Sequence, residues 1–230
     1  GDDGRQRLRL VERFDPAQAV WEPLPVMPEG CWGAVAVAMS RCLYICGGYN
    51  GQEYLCCVTR LDTLKAECWE GLPPMSQRRL GAVAAALFGR LCVCGGYNGQ
   101  ERLSSGESFD TDGRVWGQLP PMLERRWGAA AAALTGKFYV CGGDDGQQRL
   151  SSAEVFDPAS RTWQPIPAMR ERRWSAAAVA IAGKLYVCGG YGLRTYLSSA
   201  VCYDPVLGTW GELPPMPVRR SFAAAAAMRP

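Results

Sequence analysis

Arginine pairs recur along the chain at a fixed spacing, and they are the residues best suited to bind a charged ligand. A pair precedes each of four apolar segments, at residues 78–79, 125–126, 172–173 and 219–220. The guanidinium group presents a planar fork of donors that fits carboxylates and phosphates. We therefore predict that an acidic, extended peptide binds through the second arginine of each pair: Arg79, Arg126, Arg173 and Arg220.

Aromatic and amide residues recur in the same phase. Some directly follow a Cys-Gly-Gly sequence, and others directly follow an arginine pair. Arginine, tyrosine and tryptophan are the residues enriched at the energetic centres of protein interfaces. The predicted partner-binding set therefore also contains Tyr49, Asn50, Tyr97, Asn98, Trp127, Trp174 and Tyr191.

The Cys-Gly-Gly sequence sets the period. It begins at Cys46, Cys94, Cys141 and Cys188, with separations of 48, 47 and 47 residues, and tryptophans at 21, 69, 116, 163 and 210 keep the same phase. A fixed period of this length indicates one supersecondary unit copied several times. Each unit contains four short apolar segments separated by turn residues, which indicates four antiparallel strands, the composition of a propeller blade.

Runs of alanine open the units, at residues 84–86, 129–133 and 223–227. Alanine favours helix, but each run is too short for an independent helix and lies between turn residues. We interpret the runs as inner strands, because neighbouring blades crowd a propeller axis and only small side chains fit there.

The combined motif resembles the kelch repeat. In one unit it reads Gly142-Gly143, Phe156-Asp157-Pro158, Trp163, Met169 and Arg172-Arg173. The resemblance covers the chain and implies a single all-β, kelch-type β-propeller domain over residues 1–230. It implies four complete four-stranded blades, at about 31–75, 78–122, 125–169 and 172–216, and a split, incomplete blade made from the termini, 1–28 with 219–230. The split blade lacks its second strand, so we expect either a fragment of a longer propeller or a five-bladed ring with a defective seam.

The kelch resemblance also implies a function. Kelch-like proteins are commonly protein-interaction modules, either as the substrate-recognition part of a cullin-based ubiquitin ligase adaptor or as actin-binding proteins. The alternative is a carboxylate-based enzyme or metal-binding propeller acting on a small molecule, with Asp2-Asp3 and Asp144-Asp145 as its candidate groups. The chain contains no histidine, which excludes Ser-His-Asp and Cys-His catalysis within it. We therefore predict no enzyme activity, no cofactor and no metal.

Several residues have a second, purely structural interpretation. The arginines could pair internally, with Glu12, Glu107 or Glu154 on the third strand of a blade, and the tryptophans at 32, 127 and 174 could wedge between blades. The five in-phase tryptophans we interpret as structural outright.

Composition narrows the partner class. The net charge of +3 is too small for a nucleic-acid footprint, and the longest apolar stretches fall far short of the ~18 residues of a membrane span.

Eleven cysteines are present, and four share one repeat position, so they lie in different blades and are expected to be buried thiols. Their odd number favours a reducing compartment. We predict a cytoplasmic protein that binds a protein or peptide, with no nucleic-acid or membrane partner, and leave its oligomeric state open.

Overall fold

The fold is an all-β propeller. The computed structural model describes residues 7–227, and none of them is helical. Four antiparallel four-stranded sheets follow one another along the chain, each with its strands in sequence order.

Blade 1 comprises β3 (Val35–Met39), β4 (Cys42–Cys46), β5 (Val58–Asp62) and β6 (Trp69–Leu72). Blade 2 comprises β7 (Val83–Leu87), β8 (Arg90–Cys94), β9 (Gly106–Asp110) and β10 (Val115–Leu119). Blade 3 comprises β11 (Ala130–Leu134), β12 (Lys137–Cys141), β13 (Ala153–Asp157) and β14 (Thr162–Ile166). Blade 4 comprises β15 (Ala177–Ile181), β16 (Lys184–Cys188), β17 (Ala200–Asp204) and β18 (Thr209–Leu213). The kelch-type propeller expected from the repeat is confirmed.

The first strand of each blade lies at the axis. β3, β7, β11 and β15 contact one another in that order, and alanines of these strands line a central channel together with residues 223–225. Small side chains allow the strands to approach closely. The interpretation of the alanine runs as inner strands is therefore confirmed for blades 2 and 3.

The run at residues 223–227 is an exception, because it lines the channel but forms no strand. A strand needs a hydrogen-bonded neighbour, and among residues 7–227 no strand pairs with this segment. The prediction of an inner strand here is wrong for the described residues.

A separate two-stranded hairpin precedes blade 1. It consists of β1 (Val11–Asp15) and β2 (Val20–Leu24). Val11 packs against the small cluster of Met27, Cys31 and Leu55 beside blade 1. The hairpin and the segment 221–227 share no sheet. Residues 1–6 and 228–230, which the predicted split blade and Asp2-Asp3 require, lie outside the described residues.

The in-phase tryptophans join neighbouring blades. The indole Nε1–H of Trp69, Trp116, Trp163 and Trp210 donates to a proline carbonyl of the preceding unit, at 2.7–2.9 Å. Their structural role is confirmed. Trp21 differs, because 68% of its surface is exposed and its ring contacts that of Phe14, with centroids 5.3 Å apart.

Three of the four repeated cysteines lie in the core between blades, and the fourth, Cys188, is only partly buried. Cys46, Cys94 and Cys141 are fully buried, and all eleven thiols are free. Burial raises the pKa of Cys46 and of Cys141 to about 12, so these thiols stay protonated at neutral pH. The expectation of buried thiols is confirmed at these positions, whereas Cys57 and Cys68 are exposed.

Candidate functional site

The predicted ring of ligand-binding arginines is not at the surface. Arg79, Arg126 and Arg173 are among the most buried side chains, with 1%, 2% and 1% of their surface exposed. The backbone of each bonds to the preceding blade while its side chain enters the next: the Arg126 amide donates to the Leu103 carbonyl at 3.0 Å. The turn therefore directs the guanidinium inward. Arg79, Arg126 and Arg173 do not line the channel mouth, which corrects the prediction.

Blades 2 and 3 contain the internal arginine–glutamate pairs that the sequence suggested as the structural alternative. Arg79 donates to Glu107 Oε1 at 2.9 Å through Nη2, and Arg126 donates to Glu154 Oε1 at 2.7 Å through Nε. Both glutamates are fully buried. Arg126 Nη1 also donates to the carbonyl of Gly142. These arginines are structural links between blades.

Arg220, the last of the series, behaves differently. Its backbone makes the same two bonds to blade 4, from its amide to the Leu197 carbonyl and to its carbonyl from the Gly190 amide. Its side chain is exposed, since no strand of the part of the chain that the structure describes follows to enclose it. Of the four predicted arginines, Arg220 is the one available at the surface.

The predicted tyrosines lie in the turns after the second strand of blades 1, 2 and 4. Tyr49, Tyr97 and Tyr191 each bridge, by backbone pairing, the residue that precedes the inner strand and the residue five positions later. Tyr49 and Tyr54 have ring centroids 5.0 Å apart, and Tyr54 lies edge-on to Tyr97 of the next blade at 5.3 Å. The structure thus brings together tyrosines that are far apart in sequence.

Trp127 and Trp174 extend this group toward the channel mouth. Their rings lie 4.8 Å apart, and Tyr97 is 6.1 Å from Trp127. Each indole covers a glycine of the preceding blade, since a Cβ on Gly128 would lie 2.5 Å from Trp174 Nε1. The wedge interpretation is therefore correct for both tryptophans, which remain partly exposed. We call the following set the aromatic face: Tyr49, Tyr54, Tyr97, Trp127, Trp174, Tyr191 and Tyr196.

Two arginines that the sequence reasoning missed stack on the aromatic face. The Arg102 guanidinium lies 4.8 Å from the Tyr97 ring centroid and 5.0 Å from that of Trp127. Arg149 lies 4.2 Å from that of Tyr191. The repeat could have revealed both arginines, because residues 54, 102, 149 and 196 share one position, five residues after the residue that follows a diglycine.

The asparagines shape the turns. Asn50 Oδ1 accepts from the amides of Gln52 and Glu53, each at 2.8 Å. Asn98 makes the equivalent two bonds. Such side-chain turns fix the loop that presents the neighbouring tyrosine. The structure therefore gives Asn50 and Asn98 a clear positioning role, and their contact with a partner stays a prediction.

The acidic residues proposed for the alternative function have structural partners here. Asp144 pairs with Arg102 at 3.2 Å, and Asp145 accepts from the amides of Gln147 and Gln148. Within residues 7–227, no three His, Cys, Asp or Glu side chains are placed to hold a metal ion.

Comparison with known families agrees with this architecture. Residues 82–229 match the model of the KLHDC2/KLHL20/DRC7 Kelch-repeats domain, and residues 33–76 match the Kelch motif. No curated protein matches the chain significantly. The first match alone spans more than half of the sequence, and so the chain belongs to the kelch-repeat family. Propellers of this family are typically protein-interaction modules.

Proposed function

We propose that this protein binds a segment of a partner protein on its aromatic face. The observation that carries the proposal is the continuous contact of partly exposed aromatic rings across blades 1 to 4, from Tyr49 through Tyr54, Tyr97 and Trp127 to Trp174. Large aromatic surfaces beside a few charged groups are typical of binding hot spots.

An acidic partner segment fits the charges of this face. Arg102 and Arg149 are held against aromatic rings, which fixes their side chains before a ligand arrives. Arg220 is exposed beyond the turns of blade 4. Arginines held in this way would pair with carboxylates of an extended peptide and would steer its approach. These residues take the place of the buried arginines in the earlier prediction.

The same binding face would serve either role implied by the kelch resemblance. A ligase adaptor would use it to hold a substrate, and an actin-binding protein would use it to hold actin. We favour a cytoplasmic setting, because free thiols in this number persist in a reducing compartment. We propose no enzyme activity, because the candidate acids within residues 7–227 have structural partners: Asp144 pairs with Arg102, and Asp145 caps a turn.

A display selection tests this proposal directly. Peptides are selected from a random library on the purified protein, and their affinities are measured for the wild type and for the double variant Arg149→Ala, Tyr196→Ala. We expect peptides rich in Asp and Glu, an affinity that falls with salt, and at least tenfold weaker binding by the double variant, since stacking and charge pairing are both removed.

The matched control changes exposed residues at the opposite end of blade 4. Val206 and Leu207 lie in the turn between β17 and β18, 91% and 71% exposed. The variant Val206→Ala, Leu207→Ala should bind like the wild type. Equal affinity of the wild type and the Arg149/Tyr196 variant, with both folded by circular dichroism, would reject the aromatic face as the binding site.

A further inference from the structure

Two repeat positions, 28 residues apart, determine whether a blade buries an arginine, a glutamate or both. The first directly precedes the inner strand region, and the second lies on the third strand. Blades 2 and 3 hold an arginine and a glutamate there, Arg79 with Glu107 and Arg126 with Glu154. Blade 1 holds neither, with Cys31 and Thr59 instead. Blade 4 alone of these four keeps the cation and loses the anion, because Val201 stands opposite Arg173.

The loss leaves one donor of Arg173 unused. Its Nη1 donates to the carbonyls of Gly189 and Ser199, and its Nη2 donates to Glu171 and to the Ser199 hydroxyl. Its Nε–H is buried and has no partner among the described residues. In blade 3 the same group of Arg126 donates to Glu154. An unsatisfied buried donor is costly, more so on a charged group.

A second donor points to the same place. The other carboxylate oxygen of Glu107 accepts the Ser76 amide at 2.8 Å, and that of Glu154 accepts the Leu123 amide at 2.7 Å. The repeat places the Arg170 amide at this position in blade 4, and Val201 offers it no acceptor. Blade 4 therefore retains both halves of a carboxylate cradle and lacks the carboxylate.

The space for a carboxylate is open. A pocket of about 260 Å³ is lined by residues that include Arg170, Glu171, Arg173, Val201, Glu212 and Leu213. A water molecule in the liquid occupies roughly 30 Å³, so the pocket holds a carboxylate with several further atoms. It shares no residue with the aromatic face.

We propose that this pocket binds a single carboxylate group, which takes the position of the glutamate that blades 2 and 3 supply internally. One oxygen accepts from Arg173 Nε, and the other accepts from the Arg170 amide.

The neighbouring acids restrict the ligand class. Glu171 pairs with Arg173 at 2.9 Å, and Glu212 pairs with Arg170 at 2.7 Å. Their charges oppose a multiply charged anion such as phosphate more than they oppose one carboxylate. Burial lowers the pKa of Arg173, and Glu171 partly offsets that effect. A bound carboxylate would offset it further.

The first test observes the arginine itself. Sodium acetate is titrated into ¹⁵N-labelled wild-type protein at constant ionic strength with chloride, and the Nε–H resonances of the buried arginines are followed. We expect a saturable shift of the Arg173 resonance, with those of Arg79 and Arg126 unchanged, because their carboxylate is already present. No Arg173 shift, or an equal shift of all three, would overturn the proposal.

A blocked tripeptide with one central glutamate distinguishes the source of the carboxylate, with the glutamine tripeptide as its control. A shift with the glutamate peptide supports an acidic side chain of a partner as the ligand. A shift with acetate alone supports a free small carboxylate.

The second test supplies the missing group. We expect Val201→Glu to raise the thermal midpoint in chloride by about 2–4 °C and to abolish the response to acetate. Val201→Gln is neutral, so we expect a smaller rise in the thermal midpoint than with Val201→Glu and an incomplete loss of the response to acetate. A Val201→Glu protein that is folded and still responds to acetate like the wild type would reject the site. These readouts do not involve peptide selection, so they can fail independently of the function proposed above.

Discussion

At the residue scale, the arginines show what a repeat reveals and what it leaves undetermined. The period correctly placed Arg79, Arg126 and Arg173 in turns at one end of the blades. It did not determine the direction of their side chains, which depends on backbone geometry. The glutamate 28 residues later was the available signal for burial, and it is present for Arg79 and Arg126. Arg173 lacks it and is buried nonetheless.

The Arg126–Glu154 pair should be a major contributor to stability. Breaking a buried pair leaves an uncompensated charge and costs roughly 3–5 kcal/mol. We expect Glu154→Gln to lower the free energy of unfolding by about that amount, measured by urea titration. Glu212→Gln removes the partner of Arg170 from an exposed pair with the same chemistry and should leave the free energy of unfolding unchanged. A similar small effect for both variants would contradict the structural role of the buried pair.

At the element scale, the inner strands are tied together by a single type of backbone bond. The amide of Gly81 donates to the carbonyl of Gly33, that of Gly128 to Gly81, and that of Ser175 to Gly128, at 2.7–2.9 Å. The φ angles of these four residues lie between 53° and 65°. The left-handed conformation explains the glycines. The sequence showed Gly33, Gly81 and Gly128 in phase, but not the bonds between blades.

Gly128 has a second constraint besides its φ angle, and Gly89 provides the control. Gly89 has a φ of 74° and open space where a Cβ would be, whereas a Cβ on Gly128 would meet Trp174. Gly89→Ala should cost about 1 kcal/mol from backbone strain alone. Gly128→Ala should cost roughly 2–4 kcal/mol and shift the Trp fluorescence, because the indole must move. Equal costs in urea titrations would show that Trp174 is not packed on Gly128 in solution.

At the scale of the whole molecule, the blades were predictable because their signals repeat. The recurring diglycine and tryptophan predicted four complete blades of four antiparallel strands, and the structure contains four such sheets. The segment 223–227 was less predictable, since its alanines have the composition of an inner strand but have no paired neighbour among residues 7–227. A strand forms only when two segments pair, whereas the composition of one segment carries no information about its partner.

Local stability should follow the number of covered faces. Blades 2 and 3 have a complete blade on each side, whereas the β1–β2 hairpin is a two-stranded sheet, which is marginal by itself. We expect backbone amides of β1 and β2 to exchange with deuterium at least tenfold faster than those of β12 and β13, measured by mass spectrometry of peptide fragments. Equal protection of the hairpin and blade 3 would mean that the hairpin is held by contacts other than those described.

The chain of bonds from Gly33 to Ser175 continues to Phe222, whose amide donates to the Ser175 carbonyl at 2.9 Å. Among residues 7–227 it does not return to Gly33, and the Phe222 ring instead reaches Trp32, with centroids 6.4 Å apart. A closed circle of hydrogen bonds would fix the diameter of the channel mouth. Here the circle of hydrogen bonds is open between Phe222 and Gly33, and the contact between the Phe222 and Trp32 rings spans that opening without a directional bond. Widening the mouth to admit a bulkier side chain therefore requires that one contact to slide, while the four hydrogen bonds from Gly33 to Phe222 stay intact.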